Sequence, residues 1–358
     1  MSFDATYPFP LPELPPKLDS GQKTLVKWLL KARTELGELK GYSHALPNPA
    51  LLLSPSILRE SVASSGIENI NTTVEKVLAQ QLFPEAEQRI ENKEVLRYRD
   101  AVLYGFTGMK KLPIGNRLIL GIHKALLAEN SHGYRKTQNR IENSSTGKVL
   151  YTPPSSGEIS KLIANWESYI HNQADETDPL IKCAISHYQF EAIHHFGDGN
   201  GRTGRILMVL YLVQEGLLSF PMLYISGYIN KHRSEYYRLL NEVTSKGKWT
   251  EFIEYMLKGF YLQAKETKEV LLKIIALHQA MKEGIKQKCP AIYSSDLVEQ
   301  LFAMPIITPV RLGTLLGIHY TTATRHLKQL EQKGFLVNQQ MGKYQLYINK
   351  SLVELLRS

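Results

Sequence analysis

The stretch His194-His195-Phe196-Gly197-Asp198-Gly199-Asn200-Gly201-Arg202-Thr203-Gly204-Arg205 decides the reading of this 358-residue chain. It sets a histidine, a carboxylate, glycines alternating around an asparagine and two arginines inside one short turn. Each type has a task beside a phosphate chain. Histidine takes a proton near neutral pH. An aspartate holds a hard divalent cation such as Mg2+. The amides of Gly199, Asn200 and Gly201 suit an anion nest, because glycine adopts the positive φ that a nest requires. Arg202 and Arg205 stand three apart, so on a helix they share a face and both reach phosphate oxygens.

Plainer readings compete with this one. Gly199, Gly201 and Gly204 spell G-x-G-x-x-G, which alone suggests a dinucleotide fold. That fold needs a strand before the glycines and an acidic residue roughly twenty positions on. Instead Ile181, Ile185, Tyr188 and Ile193 recur ahead of it at helical spacing, and no acidic residue follows at that distance. A metal-hydrolase site built on His194, His195 and Asp198 lacks further ligands nearby. A glycine-rich cap between two core helices accounts for the glycines, but not for the histidine and both arginines.

The segment resembles the Fic (Fic/Doc) family motif H-x-F-x-[DE]-G-N-G-R-x-x-R, with His194, Phe196, Asp198, Gly199, Asn200, Gly201, Arg202 and Arg205 at its fixed positions. One departure is His195, where the family most often has proline. The resemblance implies a mainly α protein, a Fic helical core with a small β-hairpin flap and an N-terminal helical domain; the pattern of the last segment adds a C-terminal winged helix-turn-helix domain. It also implies a protein adenylyltransferase moving AMP from ATP to a Tyr, Ser or Thr hydroxyl of a target protein or of the chain itself. His194 would be the general base and Asp198 the Mg2+ ligand. Gly199, Asn200, Gly201, Arg202, Thr203, Gly204 and Arg205 would hold ATP, with Tyr236 and Tyr237 bordering the base. The glycine at 201 favours AMP transfer over the kinase reaction of members that carry lysine there.

Ser64 and Glu68, within Ser61 to Asn69, look like the family's inhibitory motif [ST]-x-x-x-E-[GN]. There the glutamate, on an N-terminal helix, pairs with the second motif arginine, here Arg205. Ser65-x-x-Glu68 also reads as an ordinary capping box that opens a helix. Between Tyr134-to-Ile141 and Val149-to-Thr152, the polar run Asn143 to Gly147 predicts a β-hairpin. The resemblance makes it a flap whose Thr137, Gln138, Asn139 and Arg140 pair with the target by adding a strand. A surface hairpin without a partner is the alternative.

The rest of the chain divides by pattern into an arm and helical domain (1–110), the core (111–262), a linker helix (263–290) and a last domain (291–358). The clearest early helices are expected at Thr24 to Leu39 and Ile70 to Leu82, and the proline-rich start is expected to lie as an arm on the helical domain. In the last domain Val310 to Leu316 and Thr321 to Lys333 read as two helices joined by a turn. Leu336 to Asn338 and Tyr344 to Asn349 follow as a wing, the pattern of a winged DNA-binding domain. Thr322, Arg325, Lys328 and Lys343 are the expected DNA contacts. From residue 281 on, ten Lys/Arg face five Asp/Glu, within a net charge of +9. A protein-contact or dimerisation role for that domain stays open, as does a homodimer through the helical domain.

Two cysteines far apart suggest a reduced, cytoplasmic chain. No apolar run approaches a membrane span, so no membrane partner is expected. Besides the restrained transferase, two functions remain: an ATP-sensing transcription regulator, and an enzyme removing AMP with Glu68 orienting a water.

Overall fold

The computed structural model describes residues 3–46, 48–49, 54–143 and 146–357. Ser144 and Ser145, at the tip of the expected hairpin, lie outside the described residues. The first helices are α1 (Lys23–Ser43), α2 (Ser54–Ile67), α3 (Val74–Gln80), α4 (Ile90–Gly108) and α5 (Asn116–Leu127). Two short strands follow, β1 (Ile141–Glu142) and β2 (Val149–Tyr151). Then come α6 (Ile159–His171), α7 (Pro179–Ile193), α8 (Asn200–Gln214), α9 (Ile225–Lys231), α10 (Arg233–Lys246) and α11 (Trp249–Lys288). The end of the chain holds α12 (Ser295–Ala303), β3 (Ile306–Ile307), α13 (Pro309–Leu316), α14 (Tyr320–Gln332), β4 (Val337–Met341), β5 (Tyr344–Ile348) and α15 (Lys350–Arg357). The chain forms two units, Met1–Gly37 with Arg97–Ala264 and Glu38–Leu96 with Lys265–Ser358.

In the first unit α7 and α8 are buried on nearly every side, which marks them as its central pair. Asp178 starts α7 by accepting a hydrogen bond from the Leu180 amide at 2.8 Å, with Pro179 in the first turn. Around the pair, α6 lies on α7 and α5 on α8. Leu118, Ile119, Ile122 and Leu126 form the inner face of α5. The indole of Trp166 on α6 donates to the Ser186 carbonyl at 2.8 Å. The proline-rich start lies on this core rather than on the helical domain expected for it. Phe9 N donates to Thr152 O, Gln189 Nε2 to Pro12 O, and Leu14 exchanges two hydrogen bonds with Asn165.

The hairpin is shorter than its sequence pattern. Only β1 and β2 pair, because the residues before them are committed elsewhere. Tyr134 bridges Phe196 and the Arg135 amide donates to His195 O at 2.9 Å, so this backbone pairs with the motif loop. The expected linker helix is also not separate: its residues are the second half of the 40-residue helix α11.

In the second unit β3, β5 and β4 form an antiparallel sheet in that order. Helices α13 and α14 make the helix-turn-helix beside it. Thr308 caps α13, Gly317 ends it at φ 64°, and His319 caps α14. Ala323, Leu327 and Leu330 are the inward face of α14, as their spacing predicts. Helix α15, absent from the sequence reading, lies on α2 and α3, with Arg357 paired to Glu75. Glycine is required at 313, where a Cβ would stand 2.8 Å from the Ile318 carbonyl oxygen. Gly313→Ala is therefore expected to cost about 1–3 kcal/mol by opening this turn. Calorimetry of the full chain checks it; an unchanged transition would refute the close approach.

Candidate active site

The motif is the turn between α7 and α8. Helix α7 ends at His194, whose φ of 46° and ψ of 52° place it in the left-handed region. That is a common way to end a helix, but without glycine it costs on the order of 1 kcal/mol. The His194 amide still reaches back to Phe190 O at 3.3 Å, and its ring is half-buried. Glycine is needed at 199, where φ is 76° and a Cβ would meet Leu127 Cδ1 at 3.2 Å. Gly199 thereby sets the first amides of α8 at the mouth of the turn, an anion-binding arrangement.

Asn200 closes the loop. Its Oδ1 accepts from Phe196 N and its Nδ2 donates to Phe196 O, both at 2.9 Å. The side chain expected in the phosphate cradle is thus committed to the loop, and its contribution to a nest falls to the backbone. Asp198 is 74 % exposed and accepts from Gly199 N at 2.6 Å and from Arg202 Nη2 at 3.2 Å. A single exposed carboxylate beside the amino end of α8 suits Mg2+ that arrives with phosphates. Among the described residues no three His, Cys, Asp or Glu side chains gather around a metal position.

The arginines lie deep. Arg202 is buried against Asp198, and Arg205 is 1 % exposed. Burial depresses His187 and raises Tyr236 well above the usual phenol range; the Arg205 charge adds to the first shift and opposes the second. Three residues assigned to the nucleotide prove to be interior. Thr203 is fully buried, and Gly204 meets Phe190 and Glu191 where α7 and α8 approach. Tyr236 is 2 % exposed with its hydroxyl 2.7 Å from His187 Nε2. Tyr237 is the exposed one, with the Arg233 guanidinium 5.9 Å from its ring centre. On the hairpin Thr137, Gln138 and Arg140 are exposed and Asn139 half-buried, and Gln138 Nε2 donates to Pro153 O.

His123 was missed in the sequence. Its ring stacks on Phe196 at 3.6 Å and bridges Ser131 Oγ and the Asp198 carbonyl, so it supports the metal-binding candidate from behind. Only a lone histidine on the amphipathic face of α5 hinted at it. His195, the departure from the motif, sits wholly buried among Tyr134, Phe190 and Phe196.

The Glu68 segment and the recognition elements belong to the second unit. Ser64 is buried within α2, while Glu68 and Asn69 form an exposed turn just after that helix, with Asn69 at φ 63°. The segment closes a helix, so the capping-box reading, which needs a helix start, is excluded. Glu68 itself is exposed. On α14 Arg325 and Lys328 are exposed and Thr322 half-buried. Lys343 at the wing tip differs from a free DNA contact: its Nζ lies 2.7 Å from Glu87 Oε1, and Tyr344 beside it stacks on Phe83.

Burial pushes His187 down to about 3, with Arg205 adding to it, and holds His195 well below the usual imidazole range. Both are neutral in the folded protein and protonate near 6.5 when it unfolds. Their stabilisation is present above pH 6.5 and is lost as pH falls below it, for His187 down to about 3. Between pH 7 and 5 His187 alone should cost about 2 kcal/mol of stability. Urea melts of His187→Gln against the parent chain should show that loss flattened in the variant; equal slopes would contradict the burial argument.

Comparison with known proteins agrees along most of the chain. Residues 26–107 match the Fic/DOC family N-terminal model, residues 113–212 the Fic/DOC family model, and residues 277–352 the model of the protein adenylyltransferase SoFic-like C-terminal domain. A protein adenylyltransferase Fic of Drosophila grimshawi is 27% identical over 254 residues, covering 65% of this chain and 50% of that protein. Its namesake in Aedes aegypti is 35% identical over 172 residues, covering 46% and 32%. The chain thus spans half or less of the length of these relatives. A Fic family protein from Desulfovibrio desulfuricans shares the fold with a TM-score of 0.61 at 21% identity, over 94% of this chain and 98% of that one. The chain belongs to the Fic/DOC family.

Proposed function

We propose that this chain is a protein adenylyltransferase that transfers AMP from ATP to a hydroxyl side chain of a target protein or of itself. One observation carries the proposal: a single turn holds His194, the exposed Asp198 carboxylate and the amino end of α8 beside buried Arg202 and Arg205. Such a turn has a base, a cation ligand and an anion cradle, which is what in-line attack on a phosphate demands. His194 removes the proton from a Tyr, Ser or Thr hydroxyl, whose oxygen attacks the α-phosphorus. The bond to the bridging oxygen breaks and pyrophosphate leaves. Asp198 would hold Mg2+, which neutralises charge on the phosphates. The α8 amides and the two arginines take the remaining oxygens, and Tyr237 offers an exposed ring to the base. Free buried Cys183 and Cys289 suit work in the reducing cytoplasm.

Glu68 restrains the reaction by competing for Arg205 in this reading. The exposed turn that carries it supports a contact that can be made and released. Incubation with α-labelled ATP and Mg2+ tests both claims. Glu68→Gly is expected to raise label on protein at least about tenfold, and His194→Ala in that background to abolish it. Unchanged labelling in Glu68→Gly removes the inhibitory role, and persisting transfer without His194 removes the base. Loss of AMP from pre-labelled protein, dependent on Glu68, would favour the reverse reaction.

A second activity has its own support. Between Glu299 and Glu331 the helix-turn-helix contains Arg311, Arg325 and Lys328 and no carboxylate, so its outer face attracts phosphate. We infer a DNA contact through α14, not through the wing that Glu87 engages. Arg325→Ala and Lys328→Ala should each weaken a mobility shift and lower its salt slope by about one. Unaltered binding in both would assign this face to protein partners.

A further inference from the structure

Arg135 lies at the entrance to the hairpin and is 8 % exposed. It spends its guanidinium on three carbonyl oxygens. Nε donates to His194 O at 2.9 Å, Nη1 to Thr137 O at 3.1 Å, and Nη2 to Pro154 O. Its own amide donates to His195 O at 2.9 Å. Next to it Tyr134 bridges Phe196 and its hydroxyl donates to Asn116 Oδ1 at 2.6 Å.

These bonds join parts far apart in sequence. One end is the peptide of His194, a non-glycine residue in the left-handed region that needs outside support to stay there. The other end is the two-sided base of the hairpin: Thr137 on the incoming chain and Pro154 on the outgoing one. Gln138 and Ser156 tie the same two sides to each other, through Pro153 O and Lys136 O. A lysine has one ammonium on a flexible stem and cannot span three carbonyls in different directions; the rigid fork of arginine can.

We propose that Arg135 is a positioning residue for transfer, holding the main chain of His194 in its turn and locking that turn to the hairpin. The proposal rests on the reading of His194 as the base. Its consequence concerns register. A target strand laid along Thr137 to Arg140 brings its hydroxyl to a histidine that the same guanidinium has placed, so the base and the docking edge move as one body. Arg135 touches neither ATP nor target in this scheme; it acts through His194 and the hairpin.

Hydrogen exchange on the full chain without nucleotide tests the linkage independently of activity. In Arg135→Lys, amides of 134–142 and 192–198 should exchange together at least about tenfold faster, while the interiors of α7 and α8 keep their protection. Faster exchange in the hairpin alone, in neither segment, or throughout the unit would overturn the proposal. Turnover gives a second readout in the Glu68→Gly background. Adding Arg135→Lys should lower kcat about 10- to 100-fold with KM for ATP and the stoichiometry of ATP binding unchanged. Methylguanidinium should restore part of the loss in Arg135→Ala. An unaltered kcat, or a loss that follows the fraction of chain able to bind ATP, would overturn the positioning role. Absence of transfer in Glu68→Gly by itself would sink the transferase reading, and the exchange experiment would still decide the role of Arg135.

Discussion

The double hydrogen bond between the Asn200 side chain and the main chain of Phe196 is the constraint on which the site depends. Two buried helices must reverse direction within a few residues, and Phe196 in that reversal is wholly buried, so its backbone polar groups need partners inside the protein. An amide side chain offers one donor and one acceptor in fixed opposition, so it satisfies both groups of Phe196 at once. With Phe196 held, its ring stacks on His123, and His123 in turn fixes the carbonyl of Asp198. The exposed carboxylate therefore hangs from a rigid loop, although its own side chain faces solvent. The left-handed residues on either side, His194 and Gly199, are the bends that this closure demands.

The second unit is organised by contacts at its margins. The wing tip is engaged, although its outer strand is exposed: Lys343 and Tyr344 meet Glu87 and Phe83, and α15 lies along α2 and α3. The helix that carries buried Ser64 is thus held by the C-terminal domain, while the outer face of α14 stays exposed. A ligand that displaces the wing must break an ion pair and an aromatic stack, whereas one that binds α14 need not. Surface pairs of this kind are individually weak, so the apolar packing of α15 supplies most of the hold. Leu352, Val353 and Leu356 provide it.

Much of this was legible in the residues, for identifiable reasons. The turn, its flanking helices and the helix-turn-helix announce themselves through local rules: spacing, glycine and caps. Thr308, His319 and Gly317 delimit α13 and α14 within a residue of the bounds their patterns suggest. What stayed hidden depends on partners distant in sequence. The hairpin pattern extends upstream of Ile141, but backbone that alternates well can pair with any available edge, and here the motif loop takes it. Thr203 and Tyr236 carry the right chemistry for a nucleotide, and only tertiary packing turns them inward. Ser65 and Glu68 have capping-box spacing whether they open or close a helix, so the motif could not say which. His123 has no signature, because a lone histidine on a helix is read only by what faces it.

The electrostatics explain why two histidines beside this loop must be neutral. Arg135, Arg202 and Arg205 are all nearly buried in the first unit, and the amino end of α8 adds partial positive charge. An imidazolium at His187 would face Arg205, and one at His195 would meet Arg135 in an aromatic enclosure. Each would add repulsion to desolvation, so both rings stay uncharged and serve as packing and hydrogen-bonding surfaces. His194 differs by its position rather than its type. It stands at the turn itself and is half-buried, whereas His187 and His195 are closed into the interior. The division of labour among three neighbouring histidines thus follows from burial. The surplus of positive charge around them is the complement that a polyphosphate requires.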